Sequence, residues 1–133
     1  MNFDHLGLHV RKMSCMINFY TNILGLQVER LQEYQSGEAS FPVIRLSSNC
    51  IIDLMPIDKI SKDKNNLVGH IKNMHHFCIA VSFDEWEIIN KNIAKHKVIL
   101  EKGPVLFTGA QGKGTSFFIR DPENNLVELK YYS

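Results

Sequence analysis

The sequence predicts an α+β fold made of two βαβββ modules, and three observations carry that prediction. A short His-led apolar segment occurs twice, as DHLGLHV at residues 4–10 and as HHFCIAV at residues 75–81. Each copy runs into a stretch whose apolar residues recur at helical spacing. Each helical stretch then gives way to three runs rich in β-branched and aromatic residues. The expected organisation is a single domain, 1–133, with module 1 at 1–55, a connector at 56–73 and module 2 at 74–133.

The first strand alternates, with His5, Gly7 and His9 on one face and Leu6, Leu8 and Val10 on the other. Met13, Met16, Ile17, Tyr20 and Leu24 then mark a helix, and Gly25 stands where a left-handed stop belongs. Leu26–Glu33, Ala39–Leu46 and Cys50–Met55 read as the three strands that complete module 1. The connector is rich in Lys, Asp and Asn and reads as solvated chain.

Module 2 opens with His76, Cys78 and Ala80 on one face and Phe77, Ile79 and Val81 on the other. Asp84 with Glu87 three residues on predicts a capping box. Trp86, Ile89 and Ile93 form the apolar stripe, and Lys95, His96 and Lys97 complement the negative end of the helix dipole. Val98–Leu100 with Val105–Phe107, then Thr115–Ile119, then Leu126–Tyr131 read as strands. The four glycines between Gly103 and Gly114 suggest a mobile loop over a cavity. It is no phosphate loop, because it lacks the Lys-Ser/Thr ending and the helix that should follow.

Composition narrows the function class. Lys plus Arg number 15 and Asp plus Glu 14, a net charge of +1, which gives no electrostatic reason to expect nucleic acid or an anionic membrane as partner. There is no apolar stretch of about 20 residues and no basic-then-apolar N-terminus, so a cytoplasmic protein acting on a small-molecule substrate is expected. Cys15, Cys50 and Cys78 are too widely spaced for a disulfide framework or a CxxC metal site, and Cys78 reads as a buried small hydrophobe.

The faces that carry His5 and His76 hold small residues and histidines, which suits a cavity wall. Glu128 interrupts the β-forming run LVELKYY, and a carboxylate there is costly to bury unless it is paired or bound to a cation. Lys130 shares that face but stands a full strand repeat away, so a ligand role for Glu128 is preferred to a pair with Lys130. His5, His76 and Glu128 thus make a potential two-His, one-carboxylate site for divalent Zn, Ni, Mn, Fe or Co. Asp53 is the module 1 counterpart of Glu128, since IIDLM matches LVELK and the His-to-acid separations are 48 and 52 residues. His76 rather than His75 is preferred, because aligning HFCIAV with HLGLHV puts His76 opposite His5. His9 lies about 13 Å along the strand from His5, too far to share an ion, and reads as a substrate contact. Arg120 is a candidate for a substrate anion.

These stretches, together with FYTNILGLQV and GPVLFTGAQGKGTSFFIRDPENNLVELKYY, resemble the vicinal-oxygen-chelate superfamily. That superfamily includes glyoxalase I, bleomycin-resistance proteins, fosfomycin-resistance thiol transferases and extradiol dioxygenases. The C-terminal stretch is the most specific, with Asn124 where the usual DPDGN turn has Gly. The resemblance implies modules forming an incomplete barrel around a metal cavity, with ligation by His5, His76 and Glu128 and with Asp53 where glyoxalase I has a Glu. Asp is one methylene shorter, a loss of about 1.5 Å of reach, so direct ligation and contact through water both stay open. His9 stands where glyoxalase I enzymes commonly carry an Arg that contacts the glutathione carboxylate. The implied activity is a glyoxalase-like lyase or isomerase in which the ion chelates vicinal substrate oxygens and Glu128 or Asp53 serves as base. The alternatives are a metal-dependent thiol transferase using a thiol cosubstrate, a dioxygenase, and a metal-free drug-binding protein of the bleomycin-resistance type. A homodimer that covers exposed strand edges is expected.

Overall fold

The structure, a computed structural model, describes residues 1–57 and 74–133. Most of the expected connector, residues 58–73, lies outside the described residues. The fold is α+β, with two compact units, Met1–His70 and Ile71–Ser133, and each contains one four-stranded sheet that does not close on itself.

Module 1 runs β1 (His5–Val10), α1 (Met13–Asn18), β2 (Gln27–Glu29), α2 (Leu31–Ser36), β3 (Val43–Ser47) and β4 (Cys50–Pro56), with strand order β1-β4-β3-β2. A π-helical turn, Phe19–Ile23, extends α1, and Gly25 ends it at φ +76° as the glycine position demands. Met16, Phe19, Tyr20 and Ile23 are buried, as are Leu8, Val10, Ile44, Ile52 and Leu54 on the alternate positions of the sheet. The run Leu26–Glu33 is not one strand. Arg30 adopts a left-handed conformation, φ +60°, which stops β2 at Glu29 and starts α2. Pro56, assigned to the connector from sequence, is the buried last residue of β4.

Module 2 runs β5 (Phe77–Ala80), α3 (Phe83–Lys95), β6 (Leu100–Gly109), β7 (Gly112–Arg120) and β8 (Leu126–Tyr131), with strand order β5-β8-β7-β6. The capping box falls two residues earlier than the sequence suggests. Val81 still donates to the Lys130 carbonyl, so the chain turns into the helix only at Ser82. The Ser82 hydroxyl accepts from the Glu85 N–H, and the Glu85 carboxylate accepts from the Ser82 N–H at 2.7 Å. The stripe Trp86, Ile89 and Ile93 is buried, and the Trp86 ring lies 4.5 Å from Phe117 and 4.8 Å from Tyr131, centroid to centroid. Phe117, Ile119, Val127 and Leu129 fill the same layer, each burial contributing about 1.5–3 kcal/mol.

The glycine-rich segment is a β-hairpin rather than a free loop, because β6 and β7 pair in register from Val105↔Ser116 to Gly109↔Gly112. Gly103 sits at an irregularity of β6 with φ +105°, and a Cβ there would lie 2.6 Å from the Ser116 carbonyl oxygen and 2.7 Å from Phe117 Cα. Asp121 organises the next turn by accepting from the N–H groups of Glu123 and Asn125, while Asn124 takes the left-handed position, φ +67°.

Three stability measurements follow from these contacts. Gly103→Ala combines positive-φ strain with a clash against strand backbone and should cost about 2–4 kcal/mol in urea unfolding. A loss below half a kilocalorie would mean that β6 and β7 do not approach so closely. Ser82→Ala should cost about 1 kcal/mol. The Ser82 N–H and hydroxyl hold Glu85 below the usual carboxylate range. This stabilisation is therefore complete above the unfolded-state pKa and is lost as pH falls through the lowered folded one. In Glu85→Gln that part of the acid-side loss should disappear, and an unchanged acid limb would contradict the assignment.

Candidate functional site

The two modules build the same local arrangement from parallel strand pairing. In module 1, β1 pairs with β4 so that Gly7 faces Asp53, and in module 2, β5 pairs with β8 so that Cys78 faces Glu128. His5 and His76 each stand two residues before the paired position, on the same strand face. Each histidine therefore reaches toward the acid of its own module. His5 Nε2 lies 3.9 Å from Asp53 Oδ2, and His76 Nε2 lies 3.0 Å from Glu128 Oε2.

The two pairs differ in surroundings. The His5 side chain is half exposed, and its Nδ1 is within 2.7 Å of Asp4 Oδ2. The Asp4 hydrogen bond first, and the Asp53 charge second, hold the imidazole above its ordinary pKa. Glu128 is buried, with its side chain 6% exposed. Burial alone would raise its pKa, but the Ser116 hydroxyl, the Lys130 ammonium and the His76 ring outweigh that effect and keep it below the carboxylate norm. Lys130 Nζ lies 3.2 Å from Glu128 Oε1, so the pair that strand spacing argued against is formed; a lysine stem is long enough to double back along one strand face. Neither Glu128 Oε1 nor the Ser116 hydroxyl, both buried, completes a hydrogen bond of good geometry, so their influence on each other is electrostatic.

A cavity of about 480 Å³ opens beside Glu128 in module 2. Phe107, Phe118 and Leu126 supply its apolar wall, and His75, His76 and Arg120 reach its polar rim. The Phe118 ring stands edge-on to His76 at 5.6 Å, fixing the imidazole plane. His75 contacts its neighbour instead of the acid, with the two Nδ1 atoms 2.8 Å apart. Arg120 is held by Glu101 through two hydrogen bonds, at 2.5 and 2.7 Å, and donates to the Asn124 carbonyl at 3.1 Å. His9 is exposed beside Met55 on the His5 face of β1. Cys78 is not buried as the sequence suggests. It retains solvent access on the cavity face, and the protein around its sulfur, with the Glu128 charge, pushes the thiol up to about 12, so it is inert as a thiolate at neutral pH.

Among the described residues no group of three or more His, Cys, Asp or Glu side chains is placed to hold a metal ion. The donor chemistry nevertheless suits a divalent ion. Each module presents an imidazole nitrogen facing a carboxylate, and one oxygen of the buried Glu128 has no hydrogen bond. The sequence reading missed the buried Lys130 and Ser116; the alternation of Glu128 and Lys130 on one face was the available signal.

The chain is similar to known proteins over nearly its whole length. The model described as the glyoxalase/bleomycin resistance protein/dioxygenase superfamily matches residues 2–129. The virulence protein STM3117 of Salmonella typhimurium is 26% identical over 97% of this chain and 83% of its own length. The glyoxalase domain-containing protein RDO1 of Mycosarcoma maydis is 45% identical over 42 residues, so the matched part spans about a quarter of that relative, 24%. A solved structure from the mobile metagenome of V. pseudocholerae superposes with a TM-score of 0.76 at 25% identity, covering 100% of this chain and 95% of that one.

Proposed function

Because the chain belongs to the glyoxalase/bleomycin resistance protein/dioxygenase superfamily, we propose that it is a small metal-dependent lyase or isomerase of the glyoxalase type. The observation that carries this reading is the repeated His–acid pair, placed by the same parallel register in both modules. A cavity alone does not need that chemistry twice. In this reading His5, His76 and Glu128 hold a divalent Zn, Ni, Mn, Fe or Co ion, and Asp53 stands at the matching position of module 1. Such an ion supplies Lewis-acid polarisation of two neighbouring substrate oxygens.

The remaining work falls to the chain's own groups. Phe107, Phe118 and Leu126 exclude water from the apolar part of a small substrate. Asp53, partly exposed and less constrained than Glu128, takes the proton next to the substrate carbonyl on a carboxylate oxygen, while Glu128 holds position. His9 and Arg120 contact the substrate's polar end, Arg120 with its guanidinium plane already fixed by Glu101. A thiol cosubstrate is compatible with the same groups. The reading includes a homodimer that covers strand edges; separately, among the described residues no helix is long and apolar enough to cross a membrane. A monomer by light scattering at tens of micromolar would remove the dimer.

The decisive test is metal content of variants purified in parallel. His5→Ala and His76→Ala should each lose most of the metal while keeping the fold, and His75→Ala should keep it. Full occupancy in the first two would sink the ligand assignment, and loss in the third would move it to His75. In turnover screens with hemithioacetals, epoxides and catechols, Asp53→Asn should lower rate by about tenfold or more with little change in metal affinity, as expected for loss of a general base. Glu128→Gln should damage both. An unaffected rate in Asp53→Asn would remove its role as base.

A further inference from the structure

Lys130 is a charged residue buried as deeply as any core side chain, with its side chain 3% exposed. Its ammonium donates to the Phe107 carbonyl at 3.0 Å and lies 3.2 Å from Glu128 Oε1, with the Tyr132 ring 5.9 Å away. The hairpin glycines make this placement possible. A Cβ on Gly109 would come within 3.2 Å of Lys130 Cδ and Cε, and one on Gly114 within 3.1 Å of Lys130 Cγ and 2.7 Å of the Tyr131 carbonyl oxygen. The glycine-rich stretch therefore forms a cradle for a lysine stem whose head is aimed at the carboxylate.

Module 1 has no such device. In the common register Glu128 corresponds to Asp53, and Lys130, paired with Ala80, corresponds to Met55, paired with His9. Among the described residues, Glu128 is paired with a buried lysine and Asp53 with no lysine or arginine.

We propose that Lys130 is a built-in counter-cation for Glu128 which a divalent ion has to displace, so that it sets how tightly this chain holds metal. The inference rests on the reading of His76 and Glu128 as ligands. A unit positive charge 3.2 Å from a ligand oxygen, in a site where water screens poorly, repels an incoming dication and stands on the side from which it would approach that oxygen. Lys130 is a positioning residue here, with no contact to substrate required of it.

Lys130→Met is the informative variant, because it fills the same cradle without charge and copies the residue that module 1 carries. Chelator-stripped wild type, Lys130→Met, Lys130→Gln, His76→Ala and His76→Ala/Lys130→Met are titrated with Co²⁺ by calorimetry and visible absorption. The expected result is binding at least about tenfold tighter in Lys130→Met, with Lys130→Gln shifted the same way should the Met variant fold poorly. A urea double-mutant cycle between Glu128→Gln and Lys130→Met, without metal, should show the two positions coupled. Equal affinity in wild type and both Lys130 variants would overturn this inference and leave the metal reading standing. Tightening that persists in His76→Ala/Lys130→Met would support it and overturn His76 as ligand. Absence of Co²⁺ binding in every variant, or an uncoupled cycle, would overturn it outright.

Discussion

A carboxylate buried in the middle of a β-strand cannot stand alone, and the organisation of module 2 follows from that constraint at Glu128. Desolvating an unpaired charge costs several kilocalories per mole, so the surrounding elements must supply positive charge or polar hydrogens. β5 brings His76 to one oxygen and β8 folds Lys130 back to the other, while β7 presents the Ser116 hydroxyl. Gly109 and Gly114 of the β6–β7 hairpin lie against the lysine stem and against Tyr131 and Tyr132. The opposite face of the same sheet presents Phe117, Ile119, Val127 and Leu129 to α3 and buries no charge.

The repeated register explains why chemistry falls at matched places. A parallel pair between the first and last strands of each module sets one histidine two residues before the acid's partner, and side-chain alternation keeps both on one face. The modules differ in the environment of that acid. Asp53 is partly exposed and faces a half-exposed, protonation-prone His5, whereas Glu128 is buried in a compensated cluster. Two acids in unlike surroundings are suited to unlike tasks, one to move and one to hold.

Much of this was legible in the residues. Strand β8 was read to its limits, Leu126–Tyr131, because alternation and β-propensity agree there, and the α3 stripe followed from period alone. The left-handed positions of Gly25 and Asn124 were readable because few residues tolerate them. Failures came where a backbone choice or a long-range contact decided. Arg30 broke a run that composition assigned to one strand, and Ser82 rather than Asp84 capped α3 because a hydrogen bond to β8 kept Val81 extended. Of the glycines that suggest mobility, Gly109 and Gly114 lie against Lys130 and Tyr132, Gly103 lies against Ser116 and Phe117, and Gly112 takes a positive φ in the turn. The Glu128–Lys130 pair was rejected on strand spacing, since Cα separation says little about where a four-carbon stem can reach.

The central claim is that the matched His–acid pairs exist to hold a cation. It is tested most directly by elemental analysis of the wild-type protein, purified without added metal and without a metal-affinity tag. The account predicts one divalent ion for each pair of βαβββ modules. Protein that carries no metal above its buffer, and takes up none on dialysis against Zn, Ni, Mn, Fe and Co, would contradict it and leave a metal-free binding protein in its place.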